Sequence, residues 1–493
     1  IRASTHTYIP GGSGLGKTSA MLLLISHDIA RGAGVGVTDP HGDLYTDCLK
    51  VAYSVLAKSG SGTPDYSRCV AINPMHPDYA AGINPLEVPD GEDPYPYVLE
   101  LMAVLAKNWP DAFAVGARME DILRNTLLVL MEHNLTLLEI PWFLTDEDFR
   151  AYLLSTTRNE MVREFWERRF DILPKREKAT WIESSANKIS KFISDPLIYA
   201  VVGQTHSTID FRDCMDNQKT VPINLAKGRL KENSNLLGSF LISKIQEAAL
   251  SRIDIPQEQR VPFFLYVDEF QNYGASQESF DTVLSEARKY RLHMGGLAHQ
   301  TLSQLDPALR DSILTNCDIQ LYFRINRYDA ELLARHAFQA TGRNVKHQRY
   351  RDTGMVGPVE PVGNPIFQPL VEEWEDYINR LTSLPFRQAC LVIRGRSQAQ
   401  FLHTVDTPRH QVSPAELAEF EARVIENYAR PREAVRREIA ERRERLEREV
   451  EAFVEVTDFR QWPAKIANSS RILSGFRLKS GLPLCFRSAI WRF

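Results

Sequence analysis

The chain has 493 residues and a net charge of −4. That is enough for two or three domains with a sizeable core, and the charge excludes a generally basic nucleic-acid coat. Six cysteines (Cys48, Cys69, Cys214, Cys317, Cys390 and Cys485) form no C-x-x-C pair, which argues against a zinc site or disulfide framework and fits a reducing compartment.

The first element expected is a strand at His6–Ile9, followed by Gly11-Gly12-Ser13-Gly14-Leu15-Gly16-Lys17-Thr18 and a helical run from Ser19 to Ile25. Strand, glycine loop and helix is the setting that the phosphate-loop pattern G-x-x-x-x-G-K-[ST] requires. Backbone amides of such a loop cradle phosphate oxygens at a positive helix end. Lys17 is expected to reach the β- and γ-phosphates of ATP and the Thr18 hydroxyl to ligate Mg²⁺. Residues Gly11 to Ser19 are therefore the expected nucleotide site.

A second strand is expected at Val35–Thr38, a helix at Asp43–Lys58 and a third strand at Cys69–Ile72. From about Pro89 to Asp216 the apolar spacing turns helical, with further helices at Asp146–Leu154, Glu160–Phe170 and Trp181–Ile193. No apolar run approaches the ~20 residues needed to span a bilayer. The richest stretch, Thr126–Leu144, is interrupted by Glu132, His133, Asn134 and Glu139. Strands return at Thr220–Leu225, Phe263–Val267, His293–Leu297 and Ile319–Phe323, separated by helices as in a parallel α/β sheet. Gly354–Pro369 reads as a surface loop, and Ala389–Ile393 and Gln400–Thr404 as late strands. Ser413–Phe453 reads as a charged helix broken near Pro431, solvated and laced with i,i+4 pairs. After Phe459 only basic charges remain, from Arg460 to Arg492.

The expected organisation is a phosphate-loop ATPase domain in two parts, 1–88 and 218–407. An all-α insertion, 89–217, separates them; a charged helical extension, 408–459, and a basic tail, 460–493, follow, the tail open to three readings: disordered, in contact with nucleic acid, or foreign to the native protein. No signal peptide is visible, and the chain starts at Ile1, so it is read as lacking its natural N-terminus.

Phe263-Phe264-Leu265-Tyr266-Val267-Asp268-Glu269 is a buried strand ending in two carboxylates. Beside a phosphate loop, Asp268 is expected to hold Mg²⁺ through water and Glu269 to act as general base on the attacking water. Asp39 and His41 end the second strand near the same place. Asp-Pro-His-Gly-Asp also reads as a turn with Asp43 as helix N-cap, and both readings stay open.

Five stretches together resemble the conjugative coupling ATPases of type IV secretion systems, relatives of the FtsK and HerA DNA translocases. They are Thr5–Ile9 with the glycine loop, Val37–Leu44, Leu265–Gln271, Glu286–Leu292 and Ala298–Gln300. The resemblance covers roughly residues 5–455; Pro10 and Leu15 are unusual in the loop but leave its required positions intact.

The resemblance implies an α/β fold: a RecA-like P-loop NTPase with a mostly parallel sheet, an all-α insertion and a charged C-terminal helix. It implies Gln300 as a γ-phosphate sensor and a homo-hexameric ring with an arginine acting across subunits, Arg310 or Arg324. Arg288, Lys289 and Arg291 would serve subunit contacts, DNA or a plain helix face. The implied partners are single-stranded DNA, a relaxase and secretion-channel proteins. The implied place is the cytoplasm at the inner face of the cell membrane, reached through a missing N-terminal region. A HerA-like DNA-processing ATPase, a protein-export secretion ATPase and an ATP-bound docking platform remain as alternatives.

Overall fold

A computed structural model describes residues 5–58, 64–114, 117–273, 284–351, 360–396, 398–405 and 412–466. Its contacts divide the chain into two units, Ile1–Glu441 and Arg442–Phe493.

The first unit is organised on an eight-stranded sheet. Its strands are β1 (Thr7–Pro10), β2 (Gly34–Asp39), β4 (Thr220–Asn224), β5 (Phe263–Val267), β6 (Leu292–His299), β7 (Ile319–Tyr322), β10 (Gln388–Ile393) and β11 (Gln400–His403). They lie in the order β11-β10-β7-β1-β6-β5-β2-β4. Every pair from β7 to β4 is parallel; β10 runs the other way, and β11, antiparallel to β10, returns to the common direction. The central strands are buried along their whole length, as a parallel sheet covered on both faces requires. On one face, α1 (Lys17–Ala30) and α2 (Asp43–Lys58) contribute Met21, Ile25, Leu44 and Cys48 to a core with Ile9, Val35, Phe264 and Phe323.

Cys69–Ile72 does not form a full strand. It makes bridges at Cys69 and Ile72 alongside β4, continuing the parallel direction at the sheet edge. β3 (Tyr79–Ala80) instead pairs with β12 (Arg430–Pro431). Between β3 and β4 the described elements are helical, from α3 (Pro94–Asn108) to Phe211–Asp216. Glu160–Phe170 begins as α-helix and continues as one π-helical stretch, Phe165–Phe170, which puts Phe165, Trp166 and Phe170 all on the buried side.

The stretch expected as a loop before Pro369 contains a strand. β9 (Glu360–Phe367) pairs antiparallel with β8 (Val345–Arg351); residues 352–359 lie outside the described set. The charged segment breaks where Pro431 predicts. Pro414–Glu426 packs Phe420, Val424 and Ile425 against Tyr45 and Leu49 of α2, and the last helix starts at Arg432. That helix runs to Ile466, into the segment expected as a basic tail; residues 467–493 are outside the described set. In the second unit Arg443 pairs with Glu447 at 2.7 Å and Arg445 with Glu449 at 3.9 Å, the i,i+4 pattern of a solvated helix. Among the described residues no helix is long and apolar enough to cross a membrane.

Candidate nucleotide site

Ligands of open parallel sheets bind at the carboxyl ends of the strands, and the predicted chemistry gathers there. The loop after β1 is pinned on both sides. Gly11 N–H donates to the His299 carbonyl at the end of β6 (3.1 Å), and Gly12 N–H to the Arg324 carbonyl just past β7 (2.9 Å). A Cβ at Gly11 would lie 2.5 Å from Phe323 Cβ, so only glycine fits. Leu15, the unusual loop choice, is buried in the core and anchors the loop from below. Pro10 costs the sheet nothing on its acceptor side, because its carbonyl still takes the Phe323 N–H at 3.0 Å.

Gly16 turns the chain into α1 with φ of 108°, and among the described residues no side chain caps the helix. The first-turn amides are thus left to an external acceptor, the arrangement that favours an anion. Thr18 and Ser13 are exposed there, and Ser19 is half-buried. Lys17 is buried and folds back on the loop, donating to the carbonyls of Gly11 (2.7 Å) and Gly12 (3.0 Å). Burial pulls its pKa below the ordinary value, against the pull of Asp268 and Glu269.

β5 delivers the two carboxylates. Asp268 is buried, and Glu269 turns the backbone left-handed (φ 50°) with its N–H donated to Asp268 Oδ1 at 3.1 Å. Burial, then Glu269 and Asp39, push the Asp268 carboxyl up to about 6. Glu269 accepts from Gln271 Nε2 (2.6 Å) on one oxygen and from Gln300 Nε2 (3.1 Å) on the other. Gln300 thus meets Glu269 across the ends of two strands.

Two residues behind Gln300 had no assigned role from sequence. His299 is fully buried, and burial lowers its pKa to about 4, so the ring is neutral. It donates from Nδ1 to the Thr301 carbonyl at 3.1 Å, which leaves Nε2 to accept the Tyr8 hydroxyl at 2.5 Å. The pair ties the residue before Gln300 to the strand that precedes the glycine loop.

Asp39, not Asp43, caps α2. Asp39 accepts from His41 N–H and Tyr45 N–H, both at 2.8 Å, while Asp43 is already the first helical residue. The reason is reach: a carboxylate at the strand end spans the turn to a first-turn amide of the helix. Asp39 thus fills the turn role, and its charge adds to the rise of the Asp268 pKa.

Arg324 is exposed beside the loop that its carbonyl holds. Arg310 sits on the helix Pro307–Asn316, paired with Asp311 at 3.0 Å. Arg288 pairs within the chain with Asp318 at 3.5 Å. Sequence reasoning also passed over Arg387, whose N–H donates to the Leu15 carbonyl at 3.1 Å. No motif marks an arginine in a turn.

Two carboxylates, Asp268 and Glu269, thus face one buried ammonium, with Asp39 close to Asp268. A hydroxyl (Thr18), a buried carboxylate of raised pKa and free helix amides fit Mg²⁺ and polyphosphate, since Mg²⁺ takes few protein ligands and keeps water and phosphate for the rest. Among the described residues no cluster of three or more His, Cys, Asp or Glu is placed to hold a metal alone.

Residues 262–354 match the family model "TraM recognition site of TraD and TraG". No curated protein matches the chain. Among solved structures, the unbound bacterial conjugative coupling protein TrwBdeltaN70 aligns with a TM-score of 0.53 at 17% identity, over 84% of this chain and 88% of that one. The plasmid coupling protein TrwB in complex with a non-hydrolysable ATP analogue gives 0.55 at 15% identity, and its complex with ADP and Mg²⁺ gives 0.52 at 16%, each over the same shares of the two chains. These likenesses establish a P-loop NTPase fold. With the family-model match they bear out the resemblance to conjugative coupling ATPases read from the sequence.

Proposed function

We propose that this chain is an ATP-driven DNA translocase serving as the coupling protein for conjugative DNA transfer through a type IV secretion system. The observation that carries the reading is the meeting of Lys17, Asp268, Glu269 and Gln300 at the carboxyl ends of the strands, beside a helix end that no side chain among the described residues caps. The loop amides and Lys17 hold the phosphates, Lys17 exchanging the carbonyls of Gly11 and Gly12 for phosphate oxygens. Thr18 and Asp268 are the protein's share of a Mg²⁺ site. Mg²⁺ held there would supply charge neutralisation at the phosphates. Glu269 takes the proton of the attacking water, its carboxylate aimed by the amides of Gln271 and Gln300. Gln300, set by His299 and Tyr8, reports the γ-phosphate.

In this reading 1–88 and 218–407 form the motor, 89–217 the all-α insertion, 408–459 a helical extension and 460–493 a basic tail. The motor works as a homo-hexamer, with Arg324 or Arg310 acting across the subunit boundary. Single-stranded DNA, a relaxase and the secretion channel are its partners, on the cytoplasmic side of the membrane. The family-model match favours this over a HerA-like processing motor or a protein exporter, because it concerns coupling proteins.

The test is phosphate release with and without single-stranded DNA across a salt titration. DNA should stimulate hydrolysis at low salt, and the stimulation should fall as salt rises, because phosphate contacts release counterions. If DNA alters neither rate nor oligomeric state at low salt, the translocase reading gives way to protein export.

A further inference from the structure

The turn that leads into β10 stands against the phosphate loop. β10 runs antiparallel to β7, so its first residues lie at the same end of the sheet as the carboxyl ends of the parallel strands. The turn closes with the Gln388 N–H on the Pro385 carbonyl at 3.1 Å. Within it Arg387 takes φ of 63°, a conformation that glycine fills at no cost and arginine rarely adopts. Hydrogen bonds on both of its backbone groups hold it there, the Thr404 hydroxyl (3.2 Å) among them. Its N–H donates to the Leu15 carbonyl (3.1 Å), and its own carbonyl accepts the Thr404 N–H (2.8 Å). A Cβ placed on Gly16 would lie 3.3 Å from Arg387 Cγ, so the arginine stem lies along the start of α1.

Beside it Phe386 is 58% exposed, and the Arg387 guanidinium sits 5.3 Å from the centre of its ring. An exposed aromatic at a strained turn, next to the loop read here as the phosphate site, is poorly explained by packing. Strained backbone of this kind clusters where a ligand is held. A planar π-face and a guanidinium plane are the two surfaces on which nucleobases stack.

We propose that Phe386 and Arg387 form the seat for the base of the bound nucleoside phosphate: Phe386 by stacking, Arg387 by orienting the ring and lining the base side of the phosphate loop. The seat rests on the nucleotide-site reading above. It predicts that affinity divides into a phosphate part, held by the loop, and a base part, held by the turn.

The experiment is calorimetric titration of the full chain with ADP and with inorganic pyrophosphate, in the presence of Mg²⁺, for the wild type, Phe386→Ala and Phe386→Tyr. Phe386→Ala should weaken ADP binding by roughly five- to hundredfold, the scale of one lost base stack. It should leave pyrophosphate binding unchanged, and Phe386→Tyr should restore ADP binding. The ring is exposed, so truncation leaves the core intact; equal melting temperatures check this. If the wild type binds ADP but Phe386→Ala binds it equally well, or loses ADP and pyrophosphate in parallel, the seat is refuted and the phosphate site stands. If the wild type binds neither ligand, both readings fall.

Discussion

Two buried charge clusters in this molecule are built on opposite plans. In the helical block, Arg150 is almost wholly buried, and its positive charge is met on the spot. Nη1 donates to the carbonyls of Phe143 (3.0 Å) and Leu144 (3.3 Å), and Nη2 to Asp171 (2.7 Å). The rings of Trp166 and Phe170 flank the guanidinium at 5.6 and 5.2 Å. At the carboxyl ends of the strands, Asp268 and Glu269 face the Lys17 ammonium, and burial, then Glu269 and Asp39, raise the Asp268 pKa. A cluster that balances its own charge holds a fold together. One that does not is held by the fold, and its imbalance is resolved by what binds.

The contrast yields opposite outcomes for substitution. Asp268→Asn should lower ATP hydrolysis by about 10²–10³-fold, the scale of one group that stabilises charge in the transition state. In the ligand-free protein it should hold or raise the melting temperature, because a crowded buried carboxylate is removed. Phosphate release and thermal melts check both halves. A large fall in melting temperature would mean that the strand-end carboxylates are structural after all.

Arg150→Met should do the reverse. Losing the guanidinium strips the buried Phe143 and Leu144 carbonyls of their donor, at a cost of about 1–3 kcal/mol each, while Asp171 keeps Lys178 at 3.5 Å. The midpoint of urea unfolding should fall, while ADP affinity of the folded protein stays near that of the wild type. Lost affinity at unchanged stability would break the comparison.

The smallest effect sharpens it. Glu100 on α3 is pushed up to about 7 by burial and by Glu247, with Ser243 and Lys244 opposing. A carboxyl whose folded pKa is raised adds no penalty below the ordinary carboxylate range. The penalty grows as pH climbs from that range to about 7, where the unfolded carboxyl ionises while the buried one keeps its proton, and it is fully present above that. Glu100→Gln should therefore stabilise the protein by about 1–2 kcal/mol at pH 8 and have little effect near pH 4.5. Thermal melts at the two pH values read this directly, and an equal effect at both would show that Glu100 is not titrating.

The sequence announced the site more fully than its surroundings. Phe263–Val267 is apolar without a break and stops at Asp268, so strand and carboxylates were visible together, and the glycine loop fixed its own context. The hairpin β8–β9 was hidden because neither Val345–Arg351 nor Glu360–Phe367 alternates apolar and polar residues, and Pro361, Gly363 and Pro365 read as loop. Asp39 was read as one of two alternatives because strand-end cap and site residue are the same carboxylate. Arg387 left no trace, since a left-handed turn is announced by glycine or asparagine and seldom by arginine.

The account turns on Glu269 as the base at a site whose binding groups are separate from it. The direct measurement is nucleotide affinity beside the rate of phosphate release for Glu269→Gln. The amide keeps the hydrogen-bonding shape toward Gln271 and Gln300 but accepts no proton. ATP affinity should stay within a few-fold of the wild type while turnover falls by about 10²–10⁴-fold. Turnover near the wild-type rate, with ATP still bound, would remove Glu269 from the chemistry and contradict the account.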